Sequence, residues 1–345
     1  MKIHRCALVL CSLSVGFLAS SIALADETCG LPSTFDVIFI DGFDGAAATA
    51  LANPTVAQLE QRRRARVLTA PTIAITYPVS GATIADTKID VVGTYTGPDN
   101  TGIAIGSAVA YVQNGQFVIP ALPLASGSNT LTAVATTLDG QTASASVGVS
   151  GASTSAALTL SANQLAGFSP FTITFRSAFR GGTIQSVAVD YDGNGTDDYT
   201  GSSLPSPFSH TYNSPGIYPV RLTIHAVGGS VYTATQRVVI QDLEAVKTTV
   251  CGVFGYFREN LAGNQIATAT QALGDAAKER YTPFLNGLGA TNAAQVATQL
   301  GTIANGVFGV DTTSLIVVAT VNSELLGFTV GINRGDDGVW RITDL

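Results

Sequence analysis

Histidine is almost missing from this chain, with three in 345 residues. His4 lies in the leader described below, so only His210 and His225 remain to serve as a base near neutral pH. A serine or cysteine nucleophile needs such a base, held in turn by a third group. Neither histidine stands in a recognisable catalytic setting, and there is no G-x-S-x-G, H-E-x-x-H or paired zinc spacing. Hydrolase chemistry is left without its parts. Charge is also sparse: Asp, Glu, Lys and Arg make up 12% of residues, and acids outnumber bases by 24 to 17. Nucleic acid is a poor partner for that balance, because phosphate contacts need a basic surface. The one basic cluster, Arg62-Arg63-Arg64 with Arg66, reads as a solvated, protease-sensitive linker.

Long apolar runs are lacking as well, apart from one at the start. Lys2, His4 and Arg5 precede the apolar stretch from Ala7 to Leu18, and Ala23-Leu24-Ala25 supplies a small-x-small cleavage pattern. Residues 1–25 are therefore expected to be a cleaved secretory signal, and no other segment is long enough to span a bilayer. Cleavage takes Lys2 and Arg5 and no acid, which moves the formal charge from −7 to −9. Of the four cysteines, Cys6 and Cys11 leave with the signal. Cys29 and Cys251 remain in an oxidising compartment, where a disulfide is chemically allowed. Cys251 also falls among apolar helix positions, where a buried free thiol is common.

What the chain has in plenty is short alternating strands between turn residues. Residues 26–70 read as an acidic tail and linker, with a short apolar strand at Phe35–Ile40 and a possible helix over Thr55–Val67. The Ile-Phe-x-Asp-Gly-Phe-acid segment at residues 38–44 is similar to one in secreted proteins of some Gram-negative bacteria. Residues 71–151 alternate from Ile73 onward, with turns at Ser80-Gly81, Asn114-Gly115 and Ser126-Gly127-Ser128-Asn129. The run ITYPVSGATI…VVGTYTG…VAYVQNGQFVIPALPLASGSNTLTAVATTLDGQTASASVGV resembles bacterial immunoglobulin-like domains. Residues 155–242 continue in strands, with Phe171, Ile173 and Phe175 on one face and Thr172 and Thr174 on the other. Within them VDYDGNGTDDYTGSSLPSPFSHTYNSPGIYPVRLTI resembles the PKD domain, an immunoglobulin-like sandwich of surface and secreted proteins. Two consecutive sandwiches joined by short linkers imply a rod.

The period changes near Asp242. Val246, Val250, Phe254, Phe257 and Leu261 recur at helical spacing. Helices are expected over 267–288 and 292–303, broken by Pro283 and the Gly287/Gly289 pair, before strands return at the C-terminus. Helices first and an antiparallel sheet after make residues 243–345 an α+β domain. The segments FGYFRENLAGNQ, ALGDAAKERYTPFLNGLG and GFTVGINRGDDGVWRI resemble the NTF2-like fold, a cone of helix and curved sheet that often encloses a pocket. Tyr256, Phe257, Tyr281, Phe284 and Trp340 could line such a pocket, although aromatics at this spacing equally build plain core.

One cluster invites a metal. Asp190, Asp192, Asn194, Gly195 and Asp198 match positions one, three, five, six and nine of an oxygen-rich calcium loop. Position twelve falls on Gly201, so the helix-loop-helix form fails. Turn geometry alone also favours Asp, Asn and Gly. The expected protein is multidomain: two all-β immunoglobulin-like sandwiches plus one α+β cone, secreted or periplasmic, non-catalytic, with calcium as the one cofactor to consider. Its expected partner is a surface glycan or an envelope protein. The alternative makes the cone a small-molecule binder or enzyme with the sandwiches as spacers, and a third reading is a structural accessory of a larger envelope assembly.

Overall fold

Side chains that alternate between two faces every second residue build most of this molecule. The computed structural model describes residues 70–321 and 323–345. The signal, the tail strand and the Thr55–Val67 helix expected from the sequence lie outside the described residues.

The first pair of sheets uses β1 (Thr72–Tyr77), β2 (Ala82–Ile84), β3 (Lys88–Thr96), β4 (Gly102–Ile105), β5 (Ala108–Val109), β6 (Tyr111–Gln113), β7 (Gln116–Pro123), β8 (Gly127–Thr136) and β9 (Thr142–Gly151). They are ordered β1-β3-β7-β6 and β2-β9-β8-β4-β5. Val91, Phe117 and Ile119 from one sheet meet Ile103, Leu131 and Val147 from the other. Asn114 and Gly115 both have positive φ (51° and 73°), the two-residue turn whose twist suits the β6–β7 hairpin.

The second pair uses β10 (Leu158–Ala162), β11 (Ala166–Phe168), β12 (Phe171–Phe179), β13 (Ile184–Asp190), β14 (Tyr199–Gly201), β15 (Ser209–Tyr212), β16 (Gly216–Ala226) and β17 (Val231–Gln241). Their order is β10-β12-β15 and β11-β17-β16-β13-β14. Phe171, Ile173 and Phe175 face inward on Val189, Leu222 and Ile240, while Thr172 and Thr174 stay exposed.

The rest is helix and then sheet: α1 (Leu243–Ala262), α2 (Ile266–Ala269), α3 (Asp275–Asn286), α4 (Gly289–Gln299), and β18 (Thr302–Phe308), β19 (Thr312–Val321), β20 (Glu324–Arg334) and β21 (Trp340–Asp344) in that spatial order. Asp242 caps α1 by accepting from the N–H groups of Glu244 and Ala245 at 2.9 and 3.3 Å. Three helix expectations need correction. The helix expected over 267–288 is interrupted: α2 stops at Ala269, Leu273 is extended (φ −91°, ψ 137°), and α3 begins only at Asp275. Pro283 sits inside α3 without breaking it: the helix runs on to Asn286 although Pro283 has no N–H to give the Glu279 carbonyl. Ile303 belongs to β18, because Gly301, at φ +69°, ends α4 in the left-handed form that glycine adopts freely. Cys251 is disulfide-bonded, so its thiol is not free; the partner cysteine lies outside the described residues.

The rod expected from two linked sandwiches is not what forms. Three separate cores exist, but the units that hold them close on one another. A fourth small cluster joins Val118 to Ala166 and Val239, with Tyr111, Ile217 and Val310 packed on it. Asp90 on β3 is 8% exposed and accepts from the Arg237 backbone N–H (3.0 Å) and guanidinium (3.2 Å) on β17. Burial pushes the Asp90 carboxyl up, and the Ala121 N–H and Arg237 pull it back toward the charged form. The last sheet returns to the first pair: Asn100 and the Trp340 backbone exchange two hydrogen bonds of 2.9 Å, and Arg334 reaches the Ala110 carbonyl. Apolar faces left over at the sandwich ends are covered by this closure, which a linear string would leave in water.

Candidate functional site

The acidic turn is the β13–β14 hairpin loop. Asp190 ends β13 at 1% exposure, opposite Arg221 on β16. Its Oδ1 accepts from Gly193 N–H (2.7 Å) and its Oδ2 from Gly195 N–H (3.0 Å), while the Arg221 guanidinium donates to Oδ2 at 3.2 Å. Asp192 accepts from Asn194 N–H (3.0 Å), Asn194 from Thr196 N–H (2.7 Å), and Asp198 from Tyr191 N–H (2.7 Å). Backbone donors therefore set the aim of all four side chains. One oxygen each from Asp190, Asp192 and Asp198 lie within 4.8 Å of one another. Calcium is a hard cation that takes oxygen ligands, about six to eight of them. This donor set is all oxygen, and a carboxylate oxygen that accepts one N–H keeps a second lone pair. The residues fit such an ion, with water needed to complete its shell. Arg221 is the member that the sequence did not reveal: it already neutralises part of the cluster, and its place opposite Asp190 follows from strand register alone.

His210 is a packing residue. Its ring stacks on Tyr191 at 4.6 Å and meets the edge of Tyr212 at 4.7 Å. The Tyr212 hydroxyl donates to the Tyr191 carbonyl at 3.0 Å, and burial pushes its proton loss far above the usual range. His225 is exposed on β16.

The five aromatics proposed to line a cone do not converge. Phe257 (1% exposed) and Trp340 (7%) are core, packed with Phe254, Phe308, Val317 and Ile332. Tyr256 is half-buried and donates to Gln271 (2.9 Å), Tyr281 donates to Asp344 (3.1 Å), and Phe284 points outward at 57% exposure. Large side chains from α1 and the sheet fill the space between them.

A cleft of about 550 Å³ lies elsewhere, where the three units meet. Its walls are Tyr95–Thr101 and Val112–Gly115 from the first pair of sheets, Gln241 at the end of β17, the first turns of α1, and Arg334, Gly338 and Trp340. Gln241 is 5% exposed, and its Oε1 has no hydrogen-bond partner. Trp340 was expected at a pocket inside the last domain, but nothing in the sequence joins it to these other walls, because the cleft exists only once the units have closed.

No family model and no curated protein matches the chain. Solved structures that overlay on it include fibronectin III-like and immunoglobulin modules. The fibronectin(III)-like modules of Clostridium thermocellum CbhA are 15% identical, covering 49% of this chain and 94% of theirs, with a TM-score of 0.19. Domains 5–6 of the S-layer protein SbsC are 14% identical over 51% of this chain and 100% of theirs, TM-score 0.22. The Bacteroides ovatus protein SGBP-B, solved with a mixed-linkage heptasaccharide, is 14% identical over 50% and 48%, TM-score 0.18. Overlays this loose carry nothing about ligand or activity. Among the described residues no helix is long and apolar enough to cross a membrane.

Proposed function

We propose that this protein is a secreted or periplasmic, non-catalytic binding protein of the cell surface that takes a glycan or an envelope protein. In this reading residues 71–151 are a bacterial immunoglobulin-like sandwich, 155–242 a PKD-like sandwich and 243–345 an NTF2-like domain. The observation that carries the role is the three-way cleft: a concave, hydrogen-bonding site formed by surfaces from all three units. The alternative, a small-molecule site inside the last domain, is opposed by the packing of Phe254, Phe257 and Phe308 through its interior. The test is affinity capture from a native envelope extract by the mature chain. Recovery of a glycan or an envelope protein that competes with excess untagged chain supports the role; recovery of neither overturns it.

The same proposal places calcium on the acidic turn, held by Asp190, Asp192, Asn194 and Asp198. Dissociation constants near 10⁻⁴–10⁻³ M are usual for extracellular modules. At ten times Kd the native state gains about 1.4 kcal/mol, a rise of a few degrees in Tm. Calcium at about 10 mM, at least ten times a Kd in that range, is expected to raise Tm after chelation, and the exposed-site variant Asp192→Ala is expected to lose the response. A Tm unmoved by calcium removes the ion from the turn.

A further inference from the structure

We infer that the three-way cleft binds a neutral oligosaccharide through side-chain amides and hydroxyls, an inference that rests on the binding role proposed above. The charged groups on its walls are largely engaged. Asp242 caps α1, and Arg334 is held by Asp311 at 2.9 Å and by the Ala110 carbonyl. The positive end of α1, which would otherwise draw an anion, already faces Asp242 and Glu244. Asp99 on the exposed rim is the remaining acid. An ionic ligand thus meets no dedicated counter-ion, whereas a ligand rich in hydroxyls meets the exposed Asn114 amide and Thr248 hydroxyl.

The second observation is Gln241. Its Oε1 is buried without a donor, which is costly in a folded protein. Rotation of the Gln241 side chain toward the cleft would bring that oxygen to a ligand hydroxyl, which would supply the donor. The half-buried Tyr95 lines the same space and offers apolar ring surface to the C–H faces of a sugar ring, with the core residue Trp340 forming the wall beside it. A peptide that binds by adding a strand is less suited, because that mode needs a free strand edge. The edge at β6 is closed by Arg334 on the Ala110 carbonyl and by the Gln113 amide, which in its satisfied orientation spans Ile240 O (2.9 Å) and Gly216 N (3.2 Å).

The sole tryptophan of the chain lines this cleft, so its fluorescence reports on the cleft directly. The probes are neutral trisaccharides of glucose, galactose, mannose and N-acetylglucosamine, with sialyllactose and a Thr-Ser hexapeptide as controls. At least one neutral trisaccharide is expected to give a saturable change, confirmed by saturation-transfer NMR. Asn114→Gly keeps the positive φ while deleting the amide, and Thr248→Val deletes a hydroxyl; each is expected to weaken binding about fivefold. Gln241→Met is expected to weaken it at least tenfold and to leave Tm unchanged or higher, since it removes an unpaired buried oxygen. Saturation by sialyllactose or the peptide alone, silence of all four sugars, or undiminished binding by the three variants overturns the inference. Envelope capture that survives the triple variant overturns the cleft assignment and leaves the binding role standing.

Discussion

Asp190→Ala is expected to destabilise the protein by about 2–3 kcal/mol, whether or not calcium is present. The side chain is 1% exposed and is the anchor of the β13–β14 loop. Removing it leaves the N–H groups of Gly193 and Gly195 without their acceptor and leaves Arg221 facing Asp197 alone at 3.7 Å. Gly193 and Gly195 lie in an exposed loop and Arg221 is 39% exposed, so water takes up part of what they lose, and the cost is chiefly that of the three charge-assisted hydrogen bonds. Chemical unfolding of the variant in chelator and in calcium measures the loss in both states. A loss below about 1 kcal/mol means that the turn is held by its glycines and not by this carboxylate. Comparison with Asp192→Ala separates the two roles of the cluster. Asp190 is structural in either state, whereas the exposed Asp192 is expected to matter only when the ion is bound.

How much of this was legible beforehand varies with the range of the forces involved. Local rules worked where neighbours in sequence decide the outcome. Asn114-Gly115 had to be a tight hairpin, and Phe171, Ile173 and Phe175 had to share a buried face. Val250, Phe254, Phe257 and Leu261 stack into one stripe of α1, as their spacing requires. Elements too short or too polar for a pattern escaped. β11 is three residues, Ala166–Phe168, and exists because it pairs in parallel with β17. β15 carries His210 and reads as loop until Thr172 and Thr211 are seen to share a 2.7 Å hydrogen bond across the strands. At the site, the oxygen-bearing side chains of the acidic turn were visible because they lie within nine residues, but Arg221 was not, being set by register. The cleft was invisible altogether. Its walls come from positions such as Asn100 and Trp340, 240 residues apart.

Docking of the last unit on the first is where a single atom is expected to have the largest effect on shape. Gly102 on β4 is buried against the β20–β21 turn. A Cβ there would stand 2.2 Å from the Gly338 carbonyl carbon, 2.3 Å from Val339 N and 2.4 Å from Asp337 O. These are backbone atoms that no rotamer change can move aside, so Gly102→Val forces the two surfaces apart. The reciprocal Asn100–Trp340 bonds and the reach of Arg334 to Ala110 break with it. The three main cores share only Ile103, Ala110 and Trp340 with that contact, so each unit is expected to stay folded. The expected outcome is a larger radius of gyration by small-angle scattering, a red shift of Trp340 emission, and release of the C-terminal unit by limited proteolysis near residue 242. Gly148→Ala, on an exposed strand position with no atom within 4 Å of the added Cβ, serves as the control and is expected to change none of these. A compact variant with unshifted emission would mean that the units are held by the Asp90–Arg237 junction and the fourth cluster alone. The cleft would then survive a mutation that should abolish it, since its walls exist only where the last sheet meets the first.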